Sequence, residues 1–173
     1  MVQSQLALWV IVCIQTSLLG VLAVQFRNQK KGSGLPPGMR IPNVPISTAN
    51  ETQYLRNIAR ENKISLILVA AEGCTFCEAV LKELAKQYND QMIPIQILYF
   101  GNKDEKIHLP SRIPIYSIDK FAINRLKVNR FPLGFILDDN SVILRRGIVT
   151  VQNLQSWLFV MDRDFPDFTG ESA

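Results

Sequence analysis

An apolar run that leads directly into two cysteines and an amphipathic segment narrows the choice of fold more than any other feature. Residues 64–71 contain one polar side chain, Ser65, which is the pattern of a strand covered on both faces. Residues 74–88 place apolar side chains at helical spacing and predict a helix that begins at Cys74. A buried strand followed at once by a helix is typical of α/β folds.

The two cysteines, Cys74 and Cys77, enclose Thr75 and Phe76 at the predicted start of this helix. The first helical turn leaves backbone N–H groups unpaired and carries the positive end of the helix dipole, so it stabilises a thiolate. Cys77 continues the apolar stripe of the helix and is expected to point inward, whereas Cys74 precedes the stripe and is expected to be exposed. One exposed attacking sulfur and one sheltered resolving sulfur suit thiol–disulfide exchange.

Two other interpretations of the cysteine pair compete with redox activity. A zinc site needs four ligands, and only His108 and Cys13 remain to complete it, with Cys13 far away in the N-terminal apolar segment. An inert structural disulfide is the second alternative, although closing so short a loop adds little stability. We therefore expect a redox-active pair, with no metal and no cofactor other than a Cys74–Cys77 disulfide.

The rest of the chain continues the alternation of helix and strand. The pattern predicts a helix over 51–62 capped by Thr48 or Asn50, a helix from Asp119 to Lys127 and a closing helix over 151–161. It also predicts strands over 93–100 and 115–118, and two strands over 133–137 and 142–149 that a tight turn at 138–141 joins. Parallel crossovers followed by an antiparallel hairpin predict an α/β fold with a mixed sheet and helices on both faces.

The N-terminal residues 1–26 carry no charged side chain and predict a transmembrane anchor. Residues 6–24 would form a helix long enough to cross the roughly 30 Å hydrocarbon core and contact membrane lipid. A cleaved signal peptide is the alternative, but the first five residues contain no Lys or Arg.

Residues 27–47 are basic and rich in Gly and Pro, which fill seven of the fourteen positions from 32 to 45. This composition predicts a stiff tether outside the core, followed by a folded domain over 48–164 and an acidic tail over 165–173. The chain has 19 basic and 15 acidic residues, and its whole excess of positive charge lies in the tether. We therefore expect no nucleic-acid partner.

Three features together resemble the thioredoxin-like superfamily: the strand, C-x-x-C and helix; Phe131-Pro132 leading into a strand; and a terminal hairpin with a helix. The resemblance implies that Pro132 is cis and lies beside the cysteines. It also implies that Phe131 and Pro132 help to bind an extended peptide, and the expected substrate-binding residues further include Thr75 and Phe76.

The sequence departs from soluble thioredoxins in three places. Gly73 stands where those proteins have Trp before the first cysteine, and Thr-Phe replaces Gly-Pro between the cysteines. Leu68 occupies the position of their buried carboxylate, so Glu72 is the nearby acid that could transfer the proton of Cys77. The intervening dipeptide tunes the reduction potential, and Thr-Phe matches neither a known reductant nor a known oxidant signature.

The anchor with Trp9, its basic exit, the tether and the ending at 143–149 resemble a membrane-anchored branch that includes the methylamine-utilisation protein MauD and TlpA-like disulfide oxidoreductases. This resemblance implies a single-pass membrane protein with an extracytoplasmic domain, on the periplasmic or cell-surface side. Its substrates would be disulfides or dithiols of exported proteins during maturation, and it would exchange electrons with a membrane or soluble redox partner.

Two expectations stand against that interpretation. By the positive-inside rule, the basic cluster that follows the anchor would lie in the cytoplasm. The domain after it would then also be cytoplasmic, with the N-terminus outside. The domain could also be a non-catalytic tethered module that binds a partner protein through Phe131 and Pro132.

Overall fold

The computed structural model describes residues 13–16, 20, 32–48, 51–89, 92–102 and 109–160. The chain divides into two units, residues 1–32 and 33–173. In the first unit residues 13–16 and 20 are helical, and the rest of the predicted anchor lies outside the described residues, as does the predicted tail over 165–173. Within the described ranges, no helix has both the length and the apolar character needed to cross a membrane.

The second unit is built on a mixed sheet. Its described strands are β1 Pro45–Ser47, β2 Thr52–Tyr54, β3 Ile64–Ala71, β4 Ile95–Phe100, β5 Ile115–Ile118, β6 Leu133–Asp138 and β7 Ile143–Ile148, in the order β2-β1-β5-β4-β3-β6-β7. Its described helices are α1 Leu55–Ala59, α2 Thr75–Gln87, α3 Lys120–Leu126 and α4 Gln155–Leu158.

Strand β3 lies inside the sheet and joins its parallel and antiparallel parts. It pairs with β4 in parallel and with β6 in antiparallel register, while β4 and β5 are parallel and β6 and β7 form the closing hairpin. Opposite Leu133, the first residue of β6, lies Val69, near the end of β3. The predicted mixed α/β sheet is confirmed, and this register brings the residues after β3 and before β6 to one edge.

Both faces of β3 are buried, which explains its continuous apolar sequence. Ile67 and Val69 belong to one core cluster, and Leu66, Leu68 and Ala70 belong to the other. Helices α1 and α3 bury side chains in the first cluster, and α2 and α4 bury side chains in the second. The prediction of helices on both faces is therefore confirmed.

The prediction that residues 27–47 form a tether outside the core is wrong for residues 33–47. Leu35, Ile41, Val44 and Ile46 are buried in the first cluster. The backbone N–H of Ile41 donates to Ser141 O at 2.8 Å, so this segment runs along the closing hairpin. The Gly and Pro residues set the path of the chain, but the apolar residues between them pack, and the folded domain begins before residue 48.

Close packing also explains a glycine in this segment. Gly34 has a φ of +84°, and a Cβ placed on it would lie 2.8 Å from the ring of Phe135. Any other residue would be strained by its backbone and would collide with the core.

The predicted helix over 51–62 is wrong in its first half and too long. Residues 52–54 form β2 and pair with β1, and α1 covers only Leu55–Ala59. Thr48 Oγ1 accepts a hydrogen bond from Glu51 N at 3.1 Å and thereby closes a hairpin turn, whereas Asn50 lies outside the described residues. Pairing with β1 overrides the helical spacing here, although Leu55 and Ile58 do face the core as predicted.

The closing helix is also shorter than predicted. A turn, in which Thr150 N donates to Asn153 Oδ1 at 2.8 Å, occupies its expected first residues, and α4 covers only Gln155–Leu158. Leu154, Trp157 and Leu158 are nevertheless buried. The other predicted helices and strands agree with the structure within two residues, including the cap of α3, where Asp119 Oδ1 accepts from Ala122 N at 2.8 Å.

Two substitutions in the segment before β1 test whether it is part of the core. We expect Ile41→Ala to lower the free energy of unfolding by about 2–5 kcal/mol, because truncating a fully buried aliphatic side chain leaves a cavity. Met39→Ala is the matched control, since this side chain is 46% exposed. Its expected effect is below about 0.5 kcal/mol in urea denaturation followed by circular dichroism. Small and equal effects would mean that the segment is a tether after all.

Candidate active site

The two cysteines lie where strand β3 turns into helix α2. Gly73 makes the turn with a φ of +68°, a conformation that favours glycine, and Cys74 is the extended N-cap residue of α2. Cys74 and Cys77 form a disulfide with Cα atoms 5.2 Å apart. The position predicted from the sequence, after a buried strand and at a helix start, is confirmed.

The two sulfur atoms have different surroundings. Cys77 is 1% exposed and packs in the same cluster as Leu68 and Val80, whereas Cys74 is half-buried at the surface. Cys74 Sγ accepts a hydrogen bond from the backbone N–H of Cys77 at 3.2 Å. This N–H belongs to the first turn of a 13-residue helix, where a developing thiolate is stabilised. The arrangement provides a sulfur that can attack and a sheltered one that can resolve.

The second wall of the site is the loop before β6. The peptide bond between Phe131 and Pro132 is cis, as the resemblance implied. Pro132 is buried and its carbonyl accepts a hydrogen bond from Val149 N at 3.1 Å. The ring of Phe131 stacks on that of Phe100 at the end of β4, with centroids 6.5 Å apart and planes 2° from parallel. Phe131 and Cys74 both pack against the cluster that contains Cys77.

Ser33 and Gly34, in the segment predicted to be a tether, support this loop. Ser33 Oγ accepts hydrogen bonds from Asn129 N at 3.0 Å and from Arg130 N at 3.2 Å. Gly34 N donates to Lys127 O at 2.8 Å. Sequence reasoning missed Ser33 because nearly one hundred residues separate it from the loop and no local pattern marks it.

A groove of about 610 Å³ lies between the start of α2, the cis-proline loop and the residues that follow β7. It is mainly apolar, and Phe76 on its wall is 77% exposed. Its lining residues are Phe76, Ala79, Val80, Arg130, Phe131, Pro132, Ile148, Val149, Thr150, Val151 and Gln152. The structure thus brings together three of the four residues predicted to bind substrate, while Thr75 is exposed but is not part of this lining.

Sequence reasoning did not identify the residues that β7 and its following turn contribute to the groove. Val149 N donates to Pro132 O, so the end of the hairpin lies against the cis-proline loop. The only signal in the sequence was position: residues after the last strand of an antiparallel hairpin return to the edge where its first strand began.

Two exposed acids flank the cysteines, Glu72 before Cys74 and Glu78 in the first turn of α2. Glu72 Oε2 accepts a hydrogen bond from Asn102 N at 3.0 Å. Leu68 is fully buried, and the buried polar side chains of the described residues are Ser65, Gln96 and Ser141, none of them a carboxylate. The role of Glu72 in proton transfer therefore stays a prediction. In the described part of the chain no group of three or more His, Cys, Asp or Glu residues could hold a metal ion.

Several solved structures share this architecture. The thioredoxin domain of a thiol-disulfide oxidoreductase from Bacteroides vulgatus is 15% identical and superposes with a TM-score of 0.53, over 72% of this chain and 99% of that one. A thiol:disulfide interchange protein from a Bacteroides species is 16% identical, with a TM-score of 0.55 over 70% and 88% of the two chains. An uncharacterized conserved protein from Geobacillus kaustophilus is 14% identical, with a TM-score of 0.54 over 71% and 80%.

These likenesses show that the chain has a thioredoxin-like fold. No protein-family model and no curated protein matches the sequence.

The different surroundings of the two sulfur atoms predict different reactivities after reduction. In a Cys13→Ser background, we expect a variant that keeps only Cys74 to react with iodoacetamide about tenfold faster than one that keeps only Cys77, because its thiolate is stabilised and accessible. The rates can be followed by mass spectrometry. Unfolding in urea should make them equal, and equal rates in the folded protein would contradict the assigned roles.

Proposed function

We propose that this chain is a membrane-tethered thiol–disulfide oxidoreductase that acts on disulfides or dithiols of exported proteins during their maturation. The observation that carries the proposal is a Cys74–Cys77 disulfide at the N-terminus of α2, together with an apolar groove that is lined by Phe76, between the two cysteines, and by the cis-proline loop. The names of two structures that share the fold, a thiol-disulfide oxidoreductase domain and a thiol:disulfide interchange protein, support the same reaction class.

In the reductive direction the reaction begins with the thiolate of Cys74. It attacks a substrate disulfide, the substrate S–S bond breaks, and a mixed disulfide forms while one substrate sulfur leaves as a thiolate. Cys77 then attacks the sulfur of Cys74 and releases the second substrate thiol. The substrate has gained two electrons, and the chain is left with its own disulfide. The same steps in reverse oxidise a substrate dithiol.

The groove accounts for how a peptide would be held during these steps. Phe76, Phe131 and Pro132 line this apolar groove, and an extended peptide that carries a cysteine would lie along it. Buried Cys77 must lose its proton before it attacks, and we keep Glu72 as the proposed acceptor because it lies two residues before Cys74.

The membrane part of the proposal is supported by the charge-free residues 1–26 and by the resemblance to the MauD-like and TlpA-like branch. That resemblance favours an extracytoplasmic domain, where a Cys74–Cys77 disulfide would persist. A membrane or soluble redox partner would then restore the starting state of the cysteines. The basic cluster at 27–40 favours the opposite orientation, so topology needs a direct test.

Replacing each cysteine separately tests the assigned steps. We expect Cys74→Ala to abolish exchange, because no attacking thiolate remains. Cys77→Ala should instead accumulate mixed disulfides with substrate proteins, because the resolving thiol is missing. Both are compared on a non-reducing gel in a Cys13→Ser background. If Cys77→Ala captures nothing that Cys74→Ala does not, the resolving role of Cys77 is wrong.

The exposed ring of Phe76 also favours a second candidate function, a non-catalytic module that binds a partner protein. An oxidoreductase requires the thiols of Cys74 and Cys77, whereas a binding module does not. We expect the Cys74→Ser, Cys77→Ser double variant to fail to replace the native chain in cells that lack it. A double variant that fully restores those cells would support the binding module.

Labelling intact cells with a membrane-impermeant maleimide tests the topology. In a Cys13→Ser background, we expect labelling only after mild reduction, because an extracytoplasmic Cys74–Cys77 pair would be oxidised and within reach of the reagent. A cytoplasmic marker protein should stay unlabelled under both conditions. Labelling of the chain only after lysis would place the domain inside and support the positive-inside rule.

A further inference from the structure

One charged side chain lines the groove described above. Of the eleven residues that line it, Arg130 is the only charged one, and all the others except Thr150 and Gln152 are apolar. Among the described residues, Arg130 forms no ion pair with a carboxylate. A bound segment would therefore meet apolar surface and a cation that no described residue pairs with.

The backbone of this arginine is held in place. Ser33 Oγ accepts hydrogen bonds from the backbone N–H groups of Asn129 and Arg130, the two residues before Phe131 and the cis peptide bond. The hydroxyl thus fixes the residue that carries the cation relative to Phe131 and Pro132. A cation on a fixed backbone binds an anionic group with less loss of freedom than one on a mobile loop.

We propose that Arg130 makes the groove selective for extended cysteine-containing segments that carry a carboxylate and an apolar side chain beside the cysteine, and that Ser33 is the residue that positions Arg130. This inference rests on the proposed exchange function. A carboxylate on the segment is attracted by Arg130, and a Lys or Arg at the same place is repelled. Phe76 and Pro132 accept the apolar side chain.

A single-turnover reaction with matched peptides tests the selectivity. The protein is the full chain with Cys13→Ser and Cys77→Ser, reduced, in neutral detergent micelles. Each peptide carries a cysteine blocked as a pyridylthio mixed disulfide, a neighbouring Phe, and either Glu or Lys at one position. The thiolate of Cys74 attacks the peptide sulfur, a disulfide to the peptide forms, and pyridine-2-thione leaves and is followed optically.

We expect the Glu peptide to react about threefold faster than the Lys peptide at low ionic strength, as for an exposed ion pair. The preference should decrease as salt is added. Arg130→Glu should reverse the order of the two peptides. Arg125→Glu is the matched control: it changes the net charge equally, but its guanidinium packs over Phe121 on α3 and does not line the groove. This control should keep the preference for Glu.

Two results would overturn the selectivity. The first is that the Glu and Lys peptides react at equal rates with the parent protein. The second is that Arg130→Glu and Arg125→Glu change the ratio of these rates equally, because the effect would then come from net charge. The neutral reagent 2,2′-dithiodipyridine separates this failure from failure of the proposed function. If the folded chain reacts with it no faster than the urea-unfolded chain, Cys74 is not activated and the exchange function itself is wrong.

The positioning role of Ser33 is tested with the same peptides. We expect Ser33→Ala to reduce the ratio of the Glu-peptide rate to the Lys-peptide rate by about half, because the loop that carries Arg130 loses two hydrogen bonds. Ser33→Thr retains a hydroxyl and should retain the preference. A full preference in Ser33→Ala would show that Ser33 does not position Arg130.

Discussion

The pairing of β3 with β6 is the interaction on which the site depends. Strand β3 is covered on both faces, so its side chains anchor both core clusters at once. Its antiparallel register with β6 sets Val69 opposite Leu133. A shift of this register by one residue would turn the side chains of β6 to the wrong face, so burial enforces it. The cysteines that follow β3 and the cis-proline loop that precedes β6 consequently meet at one edge of the sheet.

The difference between the two sulfur atoms follows from the amphipathic character of α2. Cys77 lies on the apolar face with Val80, Leu81 and Leu84 and is buried with them. Cys74 is the N-cap, outside that face, and its sulfur accepts a backbone N–H of the first turn. Sheltering of one thiol and stabilisation of the other therefore come from the ordinary geometry of a helix end, without a buried carboxylate among the described residues.

The residues before β1 contribute more than a connection. Ile41 and Ile46 are fully buried in the core, and Ser33 holds the loop that walls the groove. The chain that leads into the domain is thus also part of its candidate substrate site. A domain boundary placed at residue 48 would remove β1, part of the core and the contact that supports Arg130.

The sequence by itself was enough for the elements whose signal is local. The buried strand β3, the amphipathic helix α2 and the capped helix α3 follow from apolar periodicity and from Asp119, and the C-x-x-C pair follows from its position between strand and helix. Resemblance added the cis proline at Pro132. The strand, the two helices and the cysteine pair depend on residues within one turn or one strand of each other, and such patterns are visible in a single sequence.

Only the tertiary structure decided the features that join distant segments. Residues 52–54 pair with β1 instead of forming the helix that their local spacing suggests. Leu35, Ile41, Val44 and Ile46 are buried in the core despite the Gly and Pro residues around them. The groove joins α2, the cis-proline loop and the end of β7, and Ser33 reaches its partners across nearly one hundred residues. The sheet register and the packing of the core determine these contacts, because they act between segments whose own sequences carry no mark of one another.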